Sequence, residues 1–145
     1  MITHPAAGWR IRPYRHVDAP RCRRIFEQAL ATFVWRGASG PYLHALADSL
    51  HRARSWVAEE PNAGVVGFLT MLNKTPYIDH LFVHEDWRFC GIGRGLLEVA
   101  RLEAAQPLEL DVDEQNVHGR KAYFAMGWEE TGKRSKKGNI RLRSQ

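Results

Sequence analysis

The segment Arg88–Gly95, RFCGIGRG, places three glycines and two arginines between one apolar run and the next. A helix that begins here presents unpaired backbone N–H groups and a partial positive charge, and such a helix start holds an anion. Glycine allows a turn at positive φ and leaves no Cβ in the way of a ligand. Arg88 and Arg94 add full positive charges. The segment therefore predicts either an anion site or a tight turn that needs glycine only for its geometry.

Two familiar nucleotide-binding loops do not fit this segment. A Walker loop requires Gly-Lys followed by Ser or Thr at the helix start, whereas this chain has Gly93-Arg94-Gly95. A dinucleotide fingerprint has the spacing G-x-G-x-x-G near the first strand of a parallel fold, whereas the glycines here stand at every second position. Both motifs are excluded.

The elements that must position this segment are predicted from the spacing of apolar residues. Helical spacing predicts helices over 19–35, 42–53, 95–105 and 116–126, with Asp18 placed to cap the first. Apolar alternation and short apolar runs predict strands within 8–18 and over 55–60, 64–72, 77–84, 107–114, 128–134 and 139–143. Three consecutive strands form an antiparallel meander, and the strand, glycine turn, helix and strand that follow make a crossover. We therefore expect one α+β domain over residues 1–145 with a mixed sheet.

Two segments resemble motifs of the GCN5-related N-acetyltransferase (GNAT) family. Arg88–Gly93 matches the family pattern Arg/Gln-x-x-Gly-x-Gly/Ala, and the preceding YIDHLFVHEDW resembles that family's fourth strand. The run LDVDEQNVHGRKAYFAMGW resembles the fifth strand and the next helix, with Asn116, Tyr123 and Gly127 at the usual spacing. One departure is Gly119, where the family usually has alanine, and glycine there is expected to permit a closer approach to the cofactor.

The resemblance covers nearly the whole chain and implies a fold. That fold is α+β, layered α/β/α, with a mixed, mostly antiparallel central sheet that is splayed between strands 4 and 5 and flanked by about four helices. It also implies acetyl-CoA as cosubstrate, with no metal. The pyrophosphate would lie on the backbone amides of the glycine turn, and the pantetheine arm would lie along the fourth strand as an added strand. The implied cofactor-binding residues are Leu81, Phe82, Val83, Arg88, Phe89, Cys90, Gly91, Ile92, Gly93, Arg94 and Asn116.

The implied reaction is direct attack of an amine on the thioester. Tyr123 matches the family tyrosine beside the sulfur and is predicted to be the general acid, the alternative being an ordinary packed aromatic residue. Cys90 invites a second interpretation as a nucleophile, since a helix start lowers the pKa of a thiol. The sequence shows no paired His and Cys, and the family transfers acetyl directly, so this interpretation is disfavoured.

The general base has two candidates. Asp111 matches a position on the fifth strand where some relatives that acetylate protein N-termini carry a catalytic glutamate, and Asp79 lies where other relatives place acidic or histidine bases. Strand alternation places Asp79 on the face of Leu81 and Val83, with His80 on the opposite face unless a bulge intervenes. Asp79 is therefore slightly favoured. Both carboxylates also fit solvated or arginine-paired strand positions, and a water chain is a third source of the base.

The acceptor pocket is less defined in the sequence. By resemblance it is built from the first two helices, their loop and the last strands. An aromatic cluster lies there and fits either an amine-binding wall or core packing: Phe33, Trp35, Tyr42 and His44. The sequence has no acidic cluster there that would indicate a pocket for a polyamine or an aminoglycoside acceptor.

The net charge of +5 comes from the C-terminal stretch. Residues 132–145 carry six Lys and Arg and no acid, while every acidic residue lies at or before Glu130, so the rest of the chain is near neutral. Such a stretch more often forms a solvated strand and terminus than a nucleic-acid site, so nucleic acid is not the expected partner.

The remaining composition indicates a cytoplasmic protein. The N-terminus has no signal-peptide pattern, no apolar run reaches membrane-spanning length, and Cys22 and Cys90 form no disulfide framework. We expect a monomer or a homodimer that transfers acetyl from acetyl-CoA to an unidentified primary amine. The alternatives are a non-catalytic acyl-CoA-binding sensor on the same fold and an RNA- or ribosome-associated protein that acts through its basic tail.

Overall fold

The computed structural model describes residues 3–4, 8–32 and 40–145. The helices among them are α1 (Ala19–Thr32), α2 (Gly40–Arg52), α3 (Ile92–Ala104) and α4 (Val117–Ala125). The strands are β1 (Thr3–His4), β2 (Trp9–Pro13), β3 (Arg54–Glu60), β4 (Gly64–Met71), β5 (Tyr77–Val83), β6 (Glu109–Val112), β7 (Glu129–Arg134) and β8 (Ile140–Arg143). Since the two-residue β1 precedes the first predicted strand, the predicted strands 4 and 5 are β5 and β6. The predicted elements are confirmed, with ends that differ by a few residues.

These strands form one sheet in the order β1-β2-β3-β4-β5-β6-β8-β7. Neighbouring strands pair antiparallel except β5 and β6, which pair parallel. The connection between these two strands runs through α3, because a parallel pair requires a crossover. The predicted mixed, mostly antiparallel sheet is confirmed.

The sheet opens between β5 and β6. These strands pair only at Tyr77 with Glu109 and at Ile78 with Leu110, although β5 continues to Val83. Beyond Ile78 the backbone of β5 has no strand neighbour on its β6 side among the residues that the structure describes. The predicted splay is confirmed.

Apolar side chains cover both faces of the sheet. Alternation along β3 shows the division, because Val57 joins the cluster under α1 and α2 while Trp56 and Ala58 join the cluster under α3. Helices α1 and α2 contribute buried side chains on one face, and α3 contributes them on the other: Cys22, Ile25, Phe26, Leu46 and Leu50 from the former, and Ile92, Leu96, Leu97 and Ala100 from the latter. The layers are therefore α/β/α, as predicted.

A buried ion pair fixes the entry to α1. Asp18 was expected to cap the helix, but its carboxylate accepts two hydrogen bonds of 2.9 Å from the Arg12 guanidinium and one of 2.8 Å from the Arg15 N–H. Both side chains of the pair are almost completely buried, and Arg12 also contacts Glu59 at 3.0 Å. Burial alone would raise the pKa of Asp18, but the hydrogen bonds from Arg12 and Arg15 outweigh it and hold that pKa below its ordinary value.

We predict that Asp18→Asn lowers the free energy of unfolding by about 3 kcal/mol at pH 7, because it leaves a buried guanidinium without its anionic partner. A carboxyl whose folded-state pKa is depressed stabilises the fold above its unfolded pKa, and this contribution is lost as pH falls through the folded value. The difference between wild type and variant should therefore shrink below about pH 4.

Urea denaturation at pH 7 and pH 3 measures both effects. Glu27→Gln is the matched control, since Glu27 pairs with Arg23 at 3.5 Å on the exposed surface of α1. Its effect should stay below about 1 kcal/mol. Equal losses for the two variants at pH 7 would contradict the buried-pair account.

Candidate active site

The opening between β5 and β6 forms a cleft of ≈ 1370 Å³. Its wall includes both strands, the start of α3, one side of α4 and the turn between β7 and β8. The structure brings every predicted catalytic and cofactor-binding residue except Cys90 to this cleft: Asp79, Leu81, Phe82, Val83, Arg88, Phe89, Gly91, Ile92, Gly93, Arg94, Asp111, Asn116 and Tyr123.

Helix α3 begins at one end of the cleft. Gly91 caps the helix in the left-handed region at φ 82°, and its carbonyl accepts the Gly95 N–H at 2.9 Å. The N–H groups of Ile92, Gly93 and Arg94 precede this bond and have no acceptor one turn earlier in the helix. These groups and the exposed side chain of Arg94 make this end of the cleft electropositive.

Each of the three glycines of the segment meets a different structural requirement. Gly91 supplies the positive φ of the cap. A Cβ on Gly95 would lie 2.7 Å from the Trp9 ring and 2.9 Å from the Ile11 side chain, so this glycine permits helix–sheet packing. A Cβ on Gly93 would meet nothing within 4 Å, so its backbone faces open space on the cleft. The structure supports the turn interpretation at Gly91, and at Gly93 it leaves the helix start accessible, while the anion site stays a prediction.

The residues just before the cap are exposed. Arg88 and Phe89 are solvent-accessible, and Phe89 has a φ of 66°, a left-handed value that is uncommon outside glycine. The Cys90 carbonyl accepts a hydrogen bond from the Trp9 indole at 3.1 Å, and its thiol lies 3.6 Å from the carbonyl oxygen of Arg88. Cys90 does not line the cleft, so its interpretation as a nucleophile receives no support.

A bulge interrupts β5 at its entrance to the cleft. The register pairs Thr70 with His80 and Met71 with Ile78, which leaves Asp79 as an extra residue on β5. An extra residue of this kind re-aims the side chains around it. The bulge that the sequence analysis allowed for is therefore present, and Asp79 is its extra residue.

The Asp79 carboxylate lies on the side of α2. The Ser49 hydroxyl of α2 donates a hydrogen bond to it, and the carboxylate lies 3.6 Å from Nδ1 of His80. Leu81 and Val83 pack on the opposite side, against the cluster under α3. The prediction that Asp79 shares their face is wrong, because strand alternation fails across the bulge. Its side chain is still 38% exposed and lines the cleft.

Asp111 is committed to an ion pair. The Arg141 guanidinium donates to both of its carboxylate oxygens, and the Tyr77 hydroxyl donates to it at 2.9 Å. The guanidinium also lies 4.9 Å from the centroid of the Tyr77 ring. Burial and the charge of Asp111 raise the pKa of Tyr77, which keeps its hydroxyl a donor. This network joins β5, β6 and β8 at the closed end of the splay.

Tyr123 faces the cleft from α4. Its ring packs against Trp128 with centroids 5.2 Å apart. Burial raises the pKa of Tyr123 to about 12, because the phenolate is poorly solvated there. The phenol is therefore protonated at neutral pH, and such a group can donate a proton or a hydrogen bond into the cleft.

Asn116 is the cap of α4. Its side-chain oxygen accepts the Gly119 N–H at 3.0 Å. A Cβ on Gly119 would lie 2.5 Å from the Asn116 side-chain nitrogen. Gly119 therefore permits the close approach of the Asn116 side chain, and because it also lines the cleft, the closer approach of a cofactor stays a prediction.

The other end of the cleft carries one residue of the predicted aromatic cluster and one lysine that the sequence interpretation did not assign to the site. Tyr42 of α2 lines it, and Lys137 of the β7–β8 turn places its ammonium 5.4 Å from the Tyr42 ring centroid. His44 does not line the cleft, and Phe33 and Trp35 fall outside the described residues. Of the predicted aromatic cluster, the described structure therefore assigns only Tyr42 to this wall.

Within the described ranges, no group of three or more His, Cys, Asp or Glu side chains is arranged to hold a metal ion. No helix in that part of the chain is long and apolar enough to cross a membrane.

Comparison with known proteins identifies the family. A model of the acetyltransferase (GNAT) domain matches residues 27–143. The chain belongs to the GNAT acetyltransferase family. This membership confirms the predicted reaction class, in which an acetyl group passes from acetyl-CoA to an amine.

Two curated relatives carry the name peptidyl-lysine N-acetyltransferase YjaB. The protein of Salmonella typhimurium is 32% identical over 126 residues, which cover 85% of each chain. The protein of Escherichia coli is 39% identical over 84 residues, which cover 58% of this chain and 55% of that relative.

Solved structures share the fold. The solution structure of apo-form YjaB from Escherichia coli has a TM-score of 0.69 at 29% identity and covers 93% of this chain and 95% of that one. PaiA N-acetyltransferase from Thermoplasma acidophilum, in complex with coenzyme A, has a TM-score of 0.70 at 14% identity, with 94% and 98% covered. At that identity the likeness shows the fold alone.

We predict that the two candidate carboxylates differ in structural importance. Asp111→Asn should lower the free energy of unfolding by about 2 kcal/mol, because Arg141 loses a largely buried anionic partner. Asp79→Asn should change it by less than about 1 kcal/mol, since the partly exposed amide still offers Ser49 an acceptor. Urea denaturation of both variants checks this order, and the reverse order would show that the ion-pair network does not hold the splay.

Proposed function

We propose that residues 1–145 form one N-acetyltransferase domain that acetylates lysine side chains of peptides or proteins. The observation that carries the proposal is the parting of β5 from β6 beside the open start of α3. The acceptor class is supported by the name peptidyl-lysine N-acetyltransferase that both curated relatives carry. A cytoplasmic location and a monomeric or homodimeric state stay predictions.

The start of α3 fits the pyrophosphate of acetyl-CoA. Backbone N–H groups over Phe89–Arg94, the macrodipole of a 13-residue helix and the side chains of Arg88 and Arg94 all favour an anion at this end of the cleft. The open space at Gly93 lets a phosphate approach the backbone. The Cys90 carbonyl, held by the Trp9 indole, keeps the turn in place.

The unpaired edge of β5 fits the amide-bearing pantetheine arm. Residues Leu81, Phe82 and Val83 lie beyond the last β5–β6 pair, so their backbone groups on that side remain available to an added strand. Asn116 stands across the cleft. Its oxygen caps α4, and within the described part of the chain its side-chain N–H groups donate no hydrogen bond, so they can donate to the arm.

Bound acetyl-CoA supplies a thioester carbonyl that an uncharged amine attacks. We assign Tyr123 the role of general acid, which donates its proton at the sulfur atom as the carbon–sulfur bond breaks. The raised pKa keeps its hydroxyl protonated at neutral pH, so that a proton is present to donate, and the position of Tyr123 on the cleft supports the role.

We assign Asp79 the role of general base. A lysine ammonium has a pKa near 10.4 and must lose a proton before its nitrogen can form the new amide bond. The Asp79 carboxylate lies on the cleft, attracts the ammonium and accepts that proton directly or through water. Asp111 is the weaker candidate, because Arg141 and Tyr77 already occupy both of its oxygens.

We predict that the wild type releases thiol from acetyl-CoA in the presence of a lysine peptide. Tyr123→Phe should lower kcat by about 100-fold, which is the lower end of the usual effect of losing a general acid. The KM for acetyl-CoA should stay within about twofold of the wild-type value. Thiol release at varied acetyl-CoA measures both constants.

Phe124→Tyr is the control for this experiment, since Phe124 is the exposed neighbour on α4 and does not line the cleft. Equal losses in kcat and in acetyl-CoA affinity for Tyr123→Phe would show that Tyr123 only packs. Acetyl-CoA binding without thiol release on lysine peptides, but with release on small amines, would reject the acceptor class and keep the reaction.

A further inference from the structure

The basic C-terminal stretch is only partly neutralised within the fold. Arg134 lies 3.6 Å from the Glu114 carboxylate. Arg141 and Arg143 pair with Glu109 at 3.1 and 3.6 Å. These three arginines are therefore accounted for by contacts that hold β7 and β8 in the sheet.

The three lysines of the stretch remain. Lys133, Lys136 and Lys137 form no ion pair within the described ranges, and all three side chains are exposed. Lys136 and Lys137 line the cleft from the β7–β8 turn, whereas Lys133 does not. Two uncompensated positive charges thus stand on the wall of the cleft itself.

One of these charges is held in place. The Lys137 ammonium lies against the Tyr42 ring of α2, across the cleft from its own turn. Ser135 and Asn139 line the cleft beside it, and backbone N–H groups of the turn donate to the Ser135 hydroxyl. The turn is therefore an organised wall that holds the Lys137 ammonium at a fixed place, with Lys136 beside it in the chain.

The charges in the cleft have opposite preferences for the parts of an acceptor. Asp79 favours the lysine ammonium that is to be acetylated, while Lys136 and Lys137 repel a cationic neighbour and attract an anionic one. A peptide that carries carboxylates beside its acceptor lysine satisfies both.

We propose that Lys136 and Lys137 select acceptor lysines that are flanked by acidic residues. The inference rests on the proposed lysine-acetylating function and assigns a sequence preference to it. Nucleic-acid phosphates would also attract these lysines, but they offer no amine of high pKa to Asp79, so an acidic peptide fits the whole cleft better.

The test compares three peptides with one acceptor lysine and identical length, in which the flanking residues are Glu, Gln or Arg. For the wild type at low salt, kcat/KM should fall in the order Glu, Gln, Arg, with roughly three- to tenfold between Glu and Gln. The Lys136→Gln/Lys137→Gln variant should lose this difference, and about 0.5 M salt should reduce it in the wild type.

Lys133→Gln is the matched control, because it removes one exposed charge of the same stretch outside the cleft, and it should keep the preference. The KM for acetyl-CoA and the circular dichroism spectrum confirm that each variant is folded.

Each other outcome overturns a distinct claim. Equal kcat/KM on all three peptides overturns the selectivity and leaves lysine acetylation standing. Acetyl-CoA binding without acetylation of any peptide overturns the proposed function itself. A higher KM for acetyl-CoA in the double variant, with the preference intact, shows that the lysines serve the cofactor phosphates. In a last outcome, the wild type shows no preference among the peptides but binds a single-stranded RNA oligomer in a salt-dependent way that the double variant loses. That result would overturn the acidic peptide as the partner of these lysines and indicate nucleic acid.

Discussion

Two residue pairs join β5 to β6, and after them the strands part. Backbone groups inside a sheet are ordinarily paired. Five residues of β5 follow its last pair with β6 and have no strand on that side within the described structure, so the N–H and C=O groups that point there need other hydrogen-bond partners. The start of α3 opens onto the same cleft, where its first N–H groups have a similar demand. A ligand with an anionic end and an amide-bearing arm can bind both sets of groups, the anion at the start of α3 and the arm along β5. For that reason the parting of these strands determines what the rest of the site can do.

Side-chain contacts fix the structure at both ends of the opening. The Tyr77–Asp111–Arg141 network closes the base of the splay across three strands. At the helix end, Gly95 lets α3 lie against Trp9, and the Trp9 indole holds the carbonyl of Cys90. The cleft is thus maintained by side-chain contacts on either side of the opening rather than by pairing within it.

Local sequence patterns predicted the elements and the crossover, because apolar spacing and glycine act over a few residues. The splay that forms the cleft was implied by the family resemblance. The ion pair of Asp18 with Arg12 could not be predicted from the sequence, because it depends on the burial of both side chains in the folded protein. The orientation of Asp79 depends on one extra residue in the β4–β5 register, which the alternation of YIDHLFV does not reveal.

Contacts between distant segments were outside the reach of sequence patterns. Ser49 meets Asp79 across 30 positions, and Arg141 meets Asp111 across another 30. Nothing in either local sequence marks these pairs. The basic tail shows the same limit, because its composition indicates a solvated terminus while the fold distributes its charges between ion pairs of β7 and β8 and the wall of the cleft.

Amide hydrogen exchange with and without acetyl-CoA tests the central claim most directly. The N–H groups of residues 79–83 that point away from β4, and those of residues 92–94 at the start of α3, should exchange more slowly when acetyl-CoA is bound, because they gain acceptors. The interior of α1 should change little. Protection confined to other parts of the chain, or none at saturating acetyl-CoA, would contradict the assignment of the opening between β5 and β6 as the acetyl-CoA site.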